Sequence, residues 1–363
     1  MAVGRVVFVS LSEVLGGGEL NLLRTAKAAS AKVDVAIAGA PETPILGAAR
    51  GLGLGIRELP LGRKLGRRTA LPNLVRFPVA RHRLLRFLAG RDSDEWTLLQ
   101  YKWEQLLWGG DGDTERVAVW EHGPIPPGLL RAPPARARLA RAFRAARAAF
   151  AWSQPARESI VALAGREPVM LAAGVDDERA VAAIRGREDT RARLGIGPDL
   201  PLLVFAGRLA EDKGVLDLVR ALPAIHYAHA LICGDGPTRG RLEELVRSLG
   251  LSARVHLQGF VDDPLPYLAA GDVTVLLSRS RGEGRPVTAV ESNAVGTPVL
   301  GLAGSPALEH LAREGRVHLA EDSDPDEVRR GVERLLGRPR RRLPAPTWDE
   351  AAETFVQALQ RCD

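Results

Sequence analysis

Ser278-Arg-Ser-Arg-Gly-Glu-Gly-Arg-Pro-Val-Thr-Ala-Val-Glu291 follows the apolar run Val273 to Leu277 and precedes another at Pro298 to Leu302. A short apolar run, a Gly-rich turn, a helical stretch and a second apolar run read as one β-α-β unit of a parallel sheet. Pro286 suits the first turn of the helix, expected from about Pro286 to Val295, because no amide partner is needed there. Glu283 then lies at the C-terminal edge of the strand and Glu291 one to two helical turns further on. Ligands of open α/β sheets bind at that edge. Exposed amides at a helix start favour an anion such as diphosphate, and a carboxylate further along can accept both hydroxyls of a ribose. By spacing alone, the two glutamates equally suit an acid/base couple or two surface positions on an amphipathic helix.

The same pattern extends outward. The apolar strand Leu202 to Ala206 runs into Gly207-Arg208, and Lys213-Gly214 opens a helix to Leu222. Two cations at a strand terminus can neutralise a diphosphate and the charge that develops as it leaves. An ordinary β-turn-α with solvated cations is the other reading. A strand at Ala230 to Cys233, the turn Gly234-Asp-Gly-Pro237, a helix to Ser248 and a strand at Val255 to Gln258 complete this half. Towards the N-terminus, Arg5 to Ser10 reads as a strand. It leads into Gly16-Gly17-Gly18-Glu19 and a helix to Ala29, with a further strand at Val33 to Ala38. The glycines permit close backbone approach to a ligand, but their spacing is not the dinucleotide fingerprint G-x-G-x-x-G. Arg116 to Trp120 reads as a strand ending at Glu121-His122-Gly123-Pro124, which places His122 to reach a sugar hydroxyl or serve structurally. Residues 40 to 115 match no pattern.

The chain has 363 residues, 45% of them apolar and 26% charged, enough for two domains of roughly 150 residues each. Charged, turn-rich residues 186–200 read as the linker between a first domain, 1–185, and a second, 201–345, with a C-terminal helix over 346–363. Two cysteines exclude a disulfide framework, and no run of about 18 apolar residues marks a membrane span. The start lacks the features of a signal peptide, so a cytoplasmic location is expected. His226 and His229 have no third ligand near them, so no metal site is expected. Net charge is +6, and basic tracts lie at 62–87 and 136–147. Solvated helix faces are the plain reading of both. Contact with an anionic membrane surface is the sharper one, with the protein then peripheral to the inner face. Nucleic acid is not expected as a partner, because aromatic interleaving is sparse.

Taken together, these segments resemble the retaining GT-B glycosyltransferases of the large family that includes bacterial mannosyl- and glucosyltransferases. The residues behind the likeness are Ser280-Arg-x-Glu283-Gly-x-Pro286, Glu291, Gly296-Thr-Pro-Val299, Gly207-Arg208 with Lys213-Gly214, and Cys233-Gly-Asp-Gly-Pro237. Gly16 to Glu19, Gly174-Val-Asp176 and the final helix with Trp348 and Ala351-Ala352 add to it. The resemblance implies an α/β protein of two Rossmann-like β/α/β domains facing a central cleft, with the last helix crossing back to the first domain. It implies sugar transfer from a nucleoside-diphosphate sugar, UDP-sugar ahead of GDP-sugar, to a hydroxyl acceptor in polysaccharide, glycolipid or natural-product biosynthesis. No cofactor and no obligatory metal are implied. Arg208 and Lys213 would hold the diphosphate, Glu291 the ribose, and Glu283 and His122 the donor sugar. Gly17, Gly18, Gly207, Gly284, Arg285 and Pro286 would complete the donor site. A catalytically silent scaffold of the same fold that binds nucleotide is the alternative.

Overall fold

A computed structural model describes residues 3–12, 15–62, 70–280 and 284–362. The chain divides into two compact units, Met1–Gly174 with Trp348–Asp363, and Val175–Thr347.

The first unit is built on a seven-stranded parallel sheet: β1 Arg5–Val9, β2 Asp34–Gly39, β3 Gly55–Glu58, β4 Glu95–Leu99, β5 Val117–Glu121, β6 Ala148–Ala151 and β7 Val169–Met170. The order is β3-β2-β1-β4-β5-β6-β7, so the direction of winding reverses between β1 and β4. Strands covered by helices on both faces carry unbroken apolar runs; β1, Arg-Val-Val-Phe-Val, is buried from Val6 to Val9. The opening glycines do not form a loop ahead of the helix. Gly17 and Gly18 are its first residues, in a helix Gly17–Ala29.

The final helix, Trp348–Gln360, buries Ala351, Ala352, Phe355, Val356 and Leu359, one face at helical spacing. Phe355 sits with its ring centroid 5.4 Å from Phe8 on β1, 5.1 Å from Phe150 on β6 and 6.3 Å from Trp120 on β5. The helix thus closes over three strands of this sheet. It packs along Gly17–Ala29, where Lys32 pairs with Glu353 and the Arg24 guanidinium lies over Trp348 at 5.6 Å.

The second unit holds six parallel strands: β8 Leu202–Ala206, β9 His229–Cys233, β10 Val255–Gly259, β11 Val273–Leu276, β12 Val299–Leu302 and β13 His318–Ala320. Their order, β10-β9-β8-β11-β12-β13, reverses between β8 and β11. The stretch read as a linker, 186–200, carries the helix Arg187–Arg193 within this unit. Arg187 donates to Ala269 O and Gly271 O at 2.5 and 2.6 Å and pairs with Asp272 at 2.5 Å. Arg191, 2% exposed, donates to Ala270 O at 2.8 Å. Charge suggested exposed chain, but the guanidinium groups instead serve the carbonyls before β11.

All six tryptophans, at 96, 103, 108, 120, 152 and 348, belong to the first unit, so their fluorescence reports on it alone. Phe355→Ala should destabilise that unit by about 3–5 kcal/mol. Urea unfolding followed by Trp emission should show an early transition. A midpoint equal to that of the parent chain would show that the helix does not hold the unit together.

Candidate functional site

Ligands of doubly wound sheets gather where the strand order reverses, outside the carboxyl ends of the strands. The second unit has that point between β8 and β11, and most of the expected donor residues follow those two strands. Gly207 and Arg208 leave β8, and Glu211–Lys213 makes one turn of 3-10 helix before the helix Val215–Ala221. Lys213 is half-buried, while the Arg208 side chain is exposed and makes no hydrogen bond or ion pair among the described residues; its carbonyl accepts from Ala210 N at 2.9 Å. The loop after β11 is fastened to the loop after β8, since Asp212 O accepts from Arg279 N at 2.8 Å and from Ser278 Oγ at 3.2 Å.

Backbones approach closely here. Gly214 has φ +74°, and a Cβ on it would collide with Leu277 O. A Cβ at Gly234, after β9, would collide with Gly207 O. Gly207 N donates to Cys233 O at 2.9 Å and Leu209 N to Asp235 O at 2.9 Å, which zips the two turns together. Cys233 is buried, and burial pushes its thiol up to about 12, so it stays protonated and inert.

The helix Val287–Ala294 starts from Pro286, and Thr288 Oγ1 donates to Ala206 O at 3.1 Å, which ties the helix start to the end of β8. Glu291 is buried in this helix at 6% exposure. Ser292 Oγ, one residue on, bonds Thr274 Oγ1 of β11 at 2.7 Å and Thr297 O at 2.9 Å, which fixes the helix rotation. Arg285 points its guanidinium at Glu314, 3.1 Å away, a carboxylate shared with Arg316 and His310. Burial lowers the Arg285 pKa, opposed by Glu314. Glu283 lies outside the described residues.

The first unit repeats the arrangement at its own reversal point. Gly17 and Gly18 follow β1, Gln100 and Tyr101 follow β4, and His122 follows β5. Glu19 accepts from Gly16 N at 2.9 Å and from the Tyr101 hydroxyl. Burial and the Glu19 charge hold Tyr101 well above its usual pKa, so it remains a donor. His122 stacks on Trp120 with centroids 4.8 Å apart and on Tyr101 at 6.4 Å, and tilts against Trp152 at 5.8 Å. A Cβ at Gly18 would lie 3.9 Å from His122 Nδ1, so the glycine and the histidine are neighbours. Gln100 and Tyr101 escaped the sequence reading. Their only signal was their place directly after a strand that begins with a charged residue, Glu95.

Among the described residues, no group of three or more His, Cys, Asp and Glu is placed to hold a metal ion. His229 Nδ1 faces His256 Nε2 at 3.1 Å. In the tract 136–147, Arg138 turns inward, and Arg141, though exposed, folds back on the same loop. Arg138 donates to Leu107 O at 3.0 Å and Arg141 to Gly109 O at 2.5 Å, and both meet Asp111. The helix Ala70–Ala89 of the other tract exposes Val75, Arg76, Val79, Arg83 and Arg86.

Residues 186–347 match the family model described as glycosyl transferases group 1. Over 147 residues the chain is 34% identical to a lipopolysaccharide core biosynthesis glycosyltransferase, LpsE, of Rhizobium meliloti (strain 1021), covering 40% of this chain and 42% of that one. Over 171 residues it is 32% identical to a 2-deoxystreptamine glucosyltransferase of Streptomyces kanamyceticus, covering 46% of this chain and 44% of that one. These alignments span less than half the length of either relative. In three dimensions the chain resembles Anabaena Alr3699/HepE, solved in complex with UDP, with a TM-score of 0.73 at 18% identity over 99% of this chain and 96% of that one. That likeness establishes the GT-B type of fold, with two Rossmann-like units.

Gly214→Ala should cost the second unit roughly 2–3 kcal/mol through its left-handed backbone and its clash with Leu277. Gly17→Ala should cost little, because nothing lies within 4 Å of the added methyl. Thermal unfolding followed by circular dichroism separates the two; equal melting temperatures would contradict the close approach described at Gly214.

Proposed function

We propose that the protein transfers a sugar from a nucleoside-diphosphate sugar to a hydroxyl acceptor, with retention at the anomeric carbon, a reading supported by the match of residues 186–347 to the glycosyl transferases group 1 model. The observation that carries this reading is the reversal point of the second sheet. There an exposed Arg208 and a half-buried Lys213 share stitched loops with the start of the helix that buries Glu291. Arg208 and Lys213 supply positive charge for a diphosphate, aided by the backbone at Gly207 and by the segment Gly284 to Pro286. Glu291 suits a neutral diol such as a ribose. Arg285, held on Glu314, acts through its backbone in this scheme. Uridine is the favoured base and guanosine the next.

In the proposed step, the bond between the anomeric carbon and the β-phosphate oxygen breaks, and the negative charge grows on that phosphate beside the two cations. The acceptor hydroxyl forms the new bond on the same face and passes its proton to the leaving phosphate oxygen. The step needs no metal, because the side-chain cations offset the charge. Glu283 is assigned to the donor sugar. Gly17, Gly18 and His122 are the first unit's contribution to transfer.

The carboxylate-free stretch from residue 59 to residue 91 holds nine Lys and Arg residues. Within it, the helix Ala70–Ala89 exposes Val75 and Val79 one turn apart, at 76% and 55%, beside Arg76 and Arg86. This face suits the anionic headgroups of a lipid surface, each cation contributing about 1 kcal/mol.

Incubation with UDP-, GDP-, ADP- and TDP-sugars should release nucleoside diphosphate from at least one donor, UDP-sugars first. Arg208→Ala with Lys213→Ala should cut kcat/KM by about 100-fold or more with the fold intact, while Glu291→Ala should chiefly weaken nucleotide binding. Full activity in the double variant would remove the phosphate role, and nucleotide binding without turnover on any acceptor would favour a silent scaffold. On vesicles, the chain should sediment with phosphatidylglycerol and not with phosphatidylcholine, with binding lost in Arg76→Glu/Arg86→Glu. Equal binding to both lipids, or none at low salt, contradicts the lipid contact.

A further inference from the structure

Gln100 is 1% exposed, directly after β4, and its Nε2 lies 2.8 Å from His122 Nε2 and 3.5 Å from Gly18 O. A terminal amide can be turned either way, so the neighbours must decide its orientation. Gly18 O is an acceptor only. The carbonyl oxygen of Gln100 at that place would set two acceptors against each other, whereas the NH2 group gains a bond, if a long one. The observed arrangement leaves Gln100 Oε1 without a donor among the described residues, the better tolerated kind of omission. Gln100 therefore donates, and the ring nitrogen it meets must accept. A neutral imidazole carries one N–H, and the bond made by one nitrogen decides which of the two holds it.

We infer that Gln100 is a positioning residue that fixes His122 as the tautomer protonated on Nδ1, so that the hydrogen His122 offers lies on the edge beside Gly18. The ring cannot turn over easily, because it is stacked on Trp120 and Tyr101 and braced by Trp152. The main chain is held as well, with Ser153 Oγ donating to His122 O at 3.1 Å. Nδ1 is itself buried, so the tautomer sets the polarity of that edge, an N–H and not a lone pair facing Gly18. Gln100, the Gly18 carbonyl and His122 form a relay in which a backbone carbonyl sets the proton position of a side chain two strands away in the sheet. The inference rests on the transfer reading for its functional meaning, but not for its test.

Long-range proton–nitrogen spectra of the 15N-labelled chain, with His122 assigned by difference against His122→Asn, report the tautomer directly. The expected pattern is a protonated Nδ1 and an unprotonated Nε2; a proton on Nε2 in the parent chain overturns the proposal. Gln100→Glu replaces the donor by an acceptor and should move the proton to Nε2, with kcat lowered about tenfold or more and the KM for donor little changed. Gln100→Leu should populate both tautomers. A folded Gln100→Glu chain that keeps the parent pattern also overturns it. If either variant fails to fold, the spectrum of the parent chain still decides. A chain with Nδ1 protonated and no turnover on any donor would remove the transfer reading and leave this one standing.

Discussion

The turns after β8 and β9 can lie together only because position 234 lacks a side chain: any Cβ there would occupy the space of the Gly207 carbonyl. The same condition holds one strand over, where Gly214 faces the Leu277 carbonyl in a left-handed conformation. Main-chain contact between three adjacent strands leaves no room for lateral adjustment, since peptide units have no rotamers to change. Arg208, Lys213 and the start of the helix Val287–Ala294 are attached to those turns. Their spacing is therefore set by packing of the backbone, and the side chains add only charge. If the site takes a diphosphate as proposed, the backbone carrying the two cations is already in place, and what remains to be ordered on binding is the exposed Arg208 side chain.

The first unit reaches a comparable result by other means. Around His122 the constraint is aromatic and polar, through Trp120, Tyr101, Trp152 and Gln100. The strand order reverses between β1 and β4 as it does between β8 and β11, so both units present loops at the equivalent edge. The glycines after β1 begin a helix directly, with Glu19 reaching back to Gly16 N at 2.9 Å. Side chains do much of the holding here, although backbone also closes in at this edge, where a Cβ at Gly39 would lie 2.7 Å from Ser10 O.

That difference also explains what could be read in advance. The second sheet announces itself locally: Leu202 to Ala206 and Ala230 to Cys233 are uninterrupted apolar runs and Val273 to Leu277 is broken only by Thr274, each followed by its turn. In the first unit, residues 40–115 hid two strands. β4 starts with Glu95, a charge that only tertiary structure accounts for, through Arg57 Nη1 and Nη2 at 2.8 and 2.7 Å. The helix Ala70–Ala89 carries Pro78 inside it, a residue that usually ends a helix. Gln100 and Tyr101 were illegible for the same reason, since their importance depends on a strand the pattern did not reveal. Arginine misled in another way. Arg254 donates to Leu222 O, Ile225 O and Ala228 O, and Arg340 to Gly271 O and Ala269 O. These guanidinium groups cap carbonyls inside the fold, so a basic composition overstates how much of the surface is basic.

The first unit is discontinuous in the chain, with all of Val175–Thr347 placed between its two parts. During synthesis, the strands from β1 to β7 leave the ribosome long before the helix that covers Phe8, Trp120 and Phe150. The second unit is contiguous and can complete itself first, although it is translated later. Until Phe355 arrives, an aromatic sheet face stays uncovered, a surface of the kind that invites non-native association or a chaperone. The interval is set by the length of the intervening unit and the pace of translation.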